Sequence, residues 1–226
     1  MKRTRNGRRD GAERGRQGGG RHPGRGGVSR QRQQVAESAA RIMVEGGIKD
    51  FQVAKQKAAE RLGVWEDLPR NVEIEQAMVE YQRLFRGDTQ AARLRELRET
   101  AVEAMGFFER FSPRLVGSVL RGTATEHSDV NIHLFADDPD AVTIWLMDNA
   151  IPFETINHRV RERRDSHRDM PALRFVAGDV SMEVVIFPSE GIRRAPLSPV
   201  DGRPMERADL SRVKALLDET GVGFVA

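Results

Sequence analysis

Apolar residues are placed in two distinct ways along the chain. Up to Phe108 they recur at helical spacing, and after Pro113 they bunch into short runs between turns. Val35, Ala39 and Ile42 predict a first helix, stopped by Gly46 and Gly47. Phe51, Ala54, Ala58 and Leu62 predict a second, closed by Gly63. Pro69-Arg70-Asn71 opens a third, with Ile74, Met78, Tyr81 and Phe85 on its apolar face. Gly87-Asp88-Thr89 interrupts the pattern before a fourth helix, whose seam is Leu94, Leu97, Ala101, Ala104 and Phe108. Steps of three and four suit a dimer seam or a sheet-facing helix, and the short length favours the sheet.

Residues 114–116, 130–135, 173–177 and 182–187 read as strands, and 153–161 as a weaker further one. A helix begins between Asp138 and Asp140 and carries Val142, Trp145 and Leu146. Ala177-Gly178-Asp179 is a hairpin turn, and Leu210, Val213, Leu216 and Leu217 form a last helix ending at Gly221. No internal repeat is visible. The expectation is an α+β domain over 88–226, a small mixed sheet with flanking helices. An all-helical module at 33–87 and a tail at 1–32 precede it.

Composition changes the picture at the N-terminus. Of 226 residues, 37 are Lys or Arg and 34 are Asp or Glu, a net charge of +3. Residues 1–32 take eleven of those bases and only two acids, which leaves the remainder with 26 bases against 32 acids. The high pI therefore belongs to a basic tail on an acidic body. Nine of the 21 glycines also lie in that tail, beside only Met1, Ala12 and Val28 as apolar residues. Such a segment buries too little to offset its ordering entropy and is expected to be disordered. Its GlyArgGlyGly stretch at 24–27 suits contact with RNA phosphates, and a plain solvated tail is the alternative.

Several classes fall away. Without cysteine there is no disulfide scaffold, Cys-based zinc site or thiol nucleophile. The apolar runs are too short to span a bilayer, and the charged N-terminus is followed by no apolar stretch, so a cytoplasmic protein without membrane contact is expected. No glycine-rich loop ending in Lys-Ser/Thr is present. His22, His127, His133, His158 and His167 show no zinc spacing.

The candidate chemistry sits in 115–135. A strand ends at Gly117-Ser118, where glycine admits close backbone approach and serine offers a hydroxyl and an amide at a helix start, a corner suited to phosphate. On the next strand Asp129, Asn131 and His133 alternate with Val130, Ile132 and Leu134, so the polar set shares one face. Glu183 is a lone acid in the apolar strand Met182-Glu183-Val184, and Asp179 carries less weight because a turn Asp is ordinary.

With these residues in view, the stretch resembles the signature of the DNA polymerase beta-like nucleotidyltransferase superfamily: Gly-Ser, a spacer of roughly ten residues, then an acid, an apolar residue and a second acid. The minimal and aminoglycoside-type branch is the closer likeness, through Gly117, Ser118, Arg121, Gly122, Ala124, Ser128, Asp129 and Asn131. The chain as a whole is also similar to bacterial nucleotidyltransferase-like proteins without assigned function. The resemblance implies binding of a nucleoside triphosphate and transfer of its nucleoside monophosphate to an acceptor. Magnesium would be held by carboxylates on neighbouring strands and clamp the attacking and leaving oxygens. It assigns Gly117, Ser118, Arg121 and Ser128 to the nucleotide, Asp129 and Glu183 to catalysis, and Asp129, Asn131 and Glu183 to the metal. Asn131 departs from the pattern, since an amide oxygen ligates but adds no charge. Three readings follow: transfer with one metal, nucleotide binding without turnover, or a scaffold with a decayed site. A nucleotide- or RNA-binding adaptor is the alternative function.

Two further sets stand out. His133 is expected to be a hydrogen-bonded histidine at a half-buried edge, with phosphate orientation as the functional alternative. Arg159, Arg161, Arg163, Arg164 and Arg168 either line the triphosphate or acceptor side of a cleft or form a solvated segment balanced by Glu162, Asp165 and Asp169.

Overall fold

Ser29 starts the first helix: its hydroxyl accepts the Arg32 N–H at 3.1 Å, and Gly47 ends it at φ 65°. In a computed structural model describing residues 29–163 and 165–221, that helix is α1 (Arg30–Gly46), so structure begins a few residues inside the expected tail. The rest of that tail, residues 1–28, lies outside the described residues. Helices α2 (Phe51–Leu62) and α3 (Asn71–Phe85) pack on α1 around Val35, Ala39, Ala54, Ala58 and Ile74, all essentially inaccessible. Small side chains let these helices approach closely. Arg32 fastens the bundle from outside, donating to Asp67 at 2.7 Å and to Glu73 at 2.6 Å and 3.1 Å. Glu73 also accepts the Arg70 N–H at 2.7 Å, so one carboxylate caps α3 and holds α1.

Arg86, at φ −141°, breaks the chain between α3 and α4 (Gly87–Phe107), and Gly87, Asp88 and Thr89 are already helical. The seam of α4 packs on the sheet, as its shortness implied. Leu94, Leu97, Ala101 and Ala104, with Phe108 just beyond the helix, share one core with Leu115, Ile132, Leu134, Leu173, Val184 and Ile186. Five strands form that sheet: β1 (Arg114–Val116), β2 (Val130–Phe135), β3 (Glu154–Arg163), β4 (Ser166–Ala177) and β5 (Val180–Phe187). Their order is β1-β2-β5-β4-β3, and every pairing is antiparallel except the parallel one between β2 and β5. Helices α5 (Gly117–Arg121), α6 (Asp140–Asp148) and α7 (Leu210–Gly221) complete the α+β fold. Among the described residues no helix is long and apolar enough to cross a membrane.

Strand β4 begins seven residues before the apolar run that announced it. From Ala172 onward it pairs with β5, whereas residues 166–171 pair with β3 alone. There the strand needs no apolar alternation, and Pro171, whose missing N–H would damage a central ladder, is tolerated because β4 has outrun β5.

The second face of the sheet carries Phe135, Val160, Met170, Ala172, Val185 and Phe187. A strap crosses it from edge to edge. Leu197 donates to Arg161 O on β3 at 2.6 Å, and Ala208 exchanges hydrogen bonds with Leu115 on β1 at 2.8 Å and 3.0 Å. Between them Arg207 lies over Phe135 and Phe187, at 5.1 Å and 5.0 Å from the ring centroids.

The Arg32 clamp yields a pH signature. Its hydrogen bonds hold the Glu73 carboxyl down at about 2 from an ordinary 4.5. A group depressed in the folded state contributes stability that is complete above its unfolded pKa and lost as pH falls through its folded one. Urea midpoints should therefore drop between about pH 4.5 and pH 2, and Glu73→Gln should flatten that drop while costing about 1–3 kcal/mol at neutral pH.

Candidate functional site

Val116 leads into Gly117, whose φ of 77° turns β1 directly into α5. A Cβ at Gly117 would meet Asn131 Nδ2 at 3.4 Å, an ordinary contact, so it is the left-handed backbone angle that calls for glycine here. Helix α5 is five residues long, too short for a helix dipole to contribute much at Ser118. Arg98 of α4, 5% exposed, braces the far end of that turn by donating to Val119 O at 3.2 Å and Leu120 O at 3.4 Å. Burial holds its pKa below the ordinary arginine value.

A cavity of about 190 Å³ opens at this corner. Ser118, Arg121, Ser128, Asp129 and Asn131 lie on its wall. The opposite wall is the helical module, through Met43, Lys49, Phe51, Glu75 and Met78. The structure thus brings five sequence-selected residues together, while Gly117 and Glu183 are not on the wall. The helices contribute charge as well as shape. Lys49, in the link between α1 and α2, forms an ion pair with Asp129. Glu75 of α3 accepts from Arg121 at 2.8 Å and from Thr123 Oγ1 at 3.3 Å. Ser128 Oγ accepts the Thr125 N–H at 2.9 Å, which shapes the turn leading into β2. Gly47, also left-handed, lies against His127: an added Cβ would be 3.1 Å from its ring. A larger groove, about 540 Å³, runs between α1 and α3, but its charged wall residues are Glu37, Glu73 and Glu80, which repel phosphate.

Glu183 stands opposite Asn131 in the β2–β5 register, and it is 8% exposed. Two bases answer it: His158 Nδ1 at 2.5 Å and Arg174 Nη2 at 3.1 Å. The His158 hydrogen bond lowers the Glu183 pKa against the upward push of burial, and Arg174 adds to the lowering. Asp179 stays in the β4–β5 turn, beside Gly178 at φ 61°. His133 is not half-buried as expected but 3% exposed, and its Nδ1 accepts from Arg207 Nε at 3.0 Å. That bond places the ring proton on Nε2. Burial, with Arg207 and His158 nearby, pushes its pKa well below the ordinary value, so the ring is neutral at pH 7.

These residues do not fit a two-magnesium clamp. The first acid is paired with Lys49, the second position is an amide, and the third acid is shared between His158 and Arg174. Among the described residues no three His, Asp or Glu side chains converge as a ligand group. Comparison with protein-family models, with curated proteins and with solved structures finds no match to this chain.

Lys49, Glu75, His158 and Arg174 were not selected from the sequence. Arg174, in Leu173-Arg174-Phe175, interrupts an apolar strand just as Glu183 does, and that shared anomaly was the available signal. Lys49 had none, being one base in a helix link. Arg174→Met leaves Glu183 with His158 as its remaining partner, and urea unfolding should show a loss of about 1–3 kcal/mol.

Proposed function

We propose that this chain is a nucleotidyltransferase-type protein that binds the phosphates of a nucleoside triphosphate in the cavity between the Gly117-Ser118 corner and the helical module, without two-metal transfer. One observation carries the reading: Ser118, Arg121, Ser128, Asp129 and Asn131, chosen from one sequence motif, border one cavity in which Lys49 supplies a cation. The Lys49 side chain is 58% exposed against 17% for Asp129, so the ammonium end of the pair lies in solvent, within reach of a phosphate entering the cavity. At about 190 Å³ the cavity is smaller than the ~300–1,000 Å³ usual for enclosed small-molecule sites. It suits the phosphates, with the nucleoside at the rim. A cytoplasmic setting, where nucleoside triphosphates abound, belongs to the same reading.

Magnesium-dependent transfer to an acceptor is the second reading. In its favour, Asn131 and Glu183 share a register on adjacent strands, one substitution away from a pair of acids. The RNA-binding adaptor reading rests on the charge of residues 1–32, and a steep salt dependence of RNA binding, lost on removing them, is its signature.

Calorimetric titration of the full chain with a nucleoside triphosphate, with and without magnesium, separates these readings. Binding without pyrophosphate release is expected. Ser118→Ala should weaken it by about 1–2 kcal/mol, close to tenfold, with little change in stability. Magnesium-dependent pyrophosphate release would establish the second reading instead, and absence of nucleotide binding would remove both.

Asn131→Asp sets a carboxylate beside Glu183. Its melting temperature should fall without magnesium, because like charges repel, and recover with magnesium, because an ion bound by the folded state alone stabilises it. The parent should show no such magnesium response in paired melting curves.

A further inference from the structure

A second cavity, about 330 Å³, opens between β3, the start of β4 and the strap, and Pro199 is the one wall residue it shares with the first. Its ionisable wall residues are His133, His158, Arg159, Arg161 and His167, and among the described residues no carboxylate lines it. The acids nearby are taken or turned elsewhere. Glu183 is held by His158 and Arg174, Glu162 pairs with Arg168 at 3.4 Å, and Asp169, opposite Arg159 in the β3–β4 register, is not on the wall.

One wall residue also carries a donor without an acceptor. Arg161 Nε is buried and has no hydrogen-bond partner among the described residues. Arg207, off the wall but bonded to the wall residue His133, donates through Nε to that imidazole and through Nη1 to Gly191 O at 2.8 Å, and its Nη2 is buried without a partner among the described residues. Arg207 has no carboxylate partner among the described residues. A buried guanidinium N–H without an acceptor is costly, and a cavity with two arginines and, among the described residues, no carboxylate on its wall offers Arg161 none.

We infer that this cavity is a phosphate subsite, in which Arg161 and Arg159, with His167 beside them, supply charge-assisted hydrogen bonds to the oxygens of a phosphate group. Donors arriving from two strands suit a tetrahedral oxyanion better than a planar carboxylate, and guanidinium groups match phosphate oxygens in geometry and charge. The subsite stands on the cavity alone. That its phosphate belongs to a second molecule bound alongside the nucleotide, on the far side of Pro199, rests on the proposed function.

Inorganic phosphate is the probe, titrated calorimetrically into the full chain with chloride matched for ionic strength. The parent protein should bind it, and Arg161→Gln should weaken that binding roughly tenfold or more, the effect expected of losing a charge-assisted donor. Arg159→Gln, at an exposed position, should weaken it too, and serves as the variant should Arg161→Gln fail to fold. Arg95→Gln, an equal charge change on the outside of α4, should bind phosphate as the parent does. Phosphate binding no better than chloride, or unaltered by the Arg161 and Arg159 substitutions, would overturn the subsite. Repeating the titration at saturating nucleoside triphosphate separates the sources: retained phosphate affinity supports a subsite for a second molecule, and lost affinity overturns it, because the triphosphate then fills the cavity itself. Phosphate binding that depends on Arg161 in a protein that binds no nucleotide would keep the subsite and dismiss the proposed function.

Discussion

Strands β2 and β5 run parallel through the centre of the sheet, and Asn131 and Glu183 face each other across that pairing. A carboxylate placed there, 8% exposed, loses most of its hydration and must be answered by cations or hydrogen bonds. His158 from β3 and Arg174 from β4 answer it, so the polar half of this face is held together by hydrogen bonds drawn from three strands. An amide at 131 relieves the same constraint by avoiding a second acid at the most crowded point. Around this arrangement the other face is free to be wholly apolar and to take α4, α6 and α7.

The helical module belongs to the site as much as to its own small core. Lys49 meets Asp129, Glu75 meets Arg121, and Gln82 Nε2 donates to Ala124 O at 2.8 Å. Asn71 reaches the strap at Pro199 O, also at 2.8 Å. Each contact joins the helical module to a segment at or next to the first cavity. The strap borders the second cavity through Pro196, Leu197, Pro199 and Met205, and beside it Arg207 packs on Phe135 and Phe187 and bonds to His133.

Local pattern made most of the fold legible. Helix stops at Gly47 and Gly63, the α4 seam and the strands 114–116 and 130–135 all depend on interactions within a few residues or on a one-sided apolar period. The start of β4 was not legible, because residues 166–171 pair with a single neighbour and carry no alternation. The strap left no signal either: its bridges at Leu197 and Ala208 connect positions far apart in the chain.

By itself the sequence determined an α+β chain with a helical beginning, the Gly117-Ser118 turn before β2, and the sharing of one strand face by Asn131 and His133, because these follow from steric allowance and a period of two. Tertiary structure decided which charges meet. Lys49 and Asp129 are 80 residues apart, and Arg121 and Glu75 lie on different elements, so no spacing rule connects them. It also decided that His133 is buried and neutral rather than half-exposed. Ionic partnership and dielectric surroundings depend on distances that only packing sets, and a strand's alternation shows the face a side chain shares but not what covers that face.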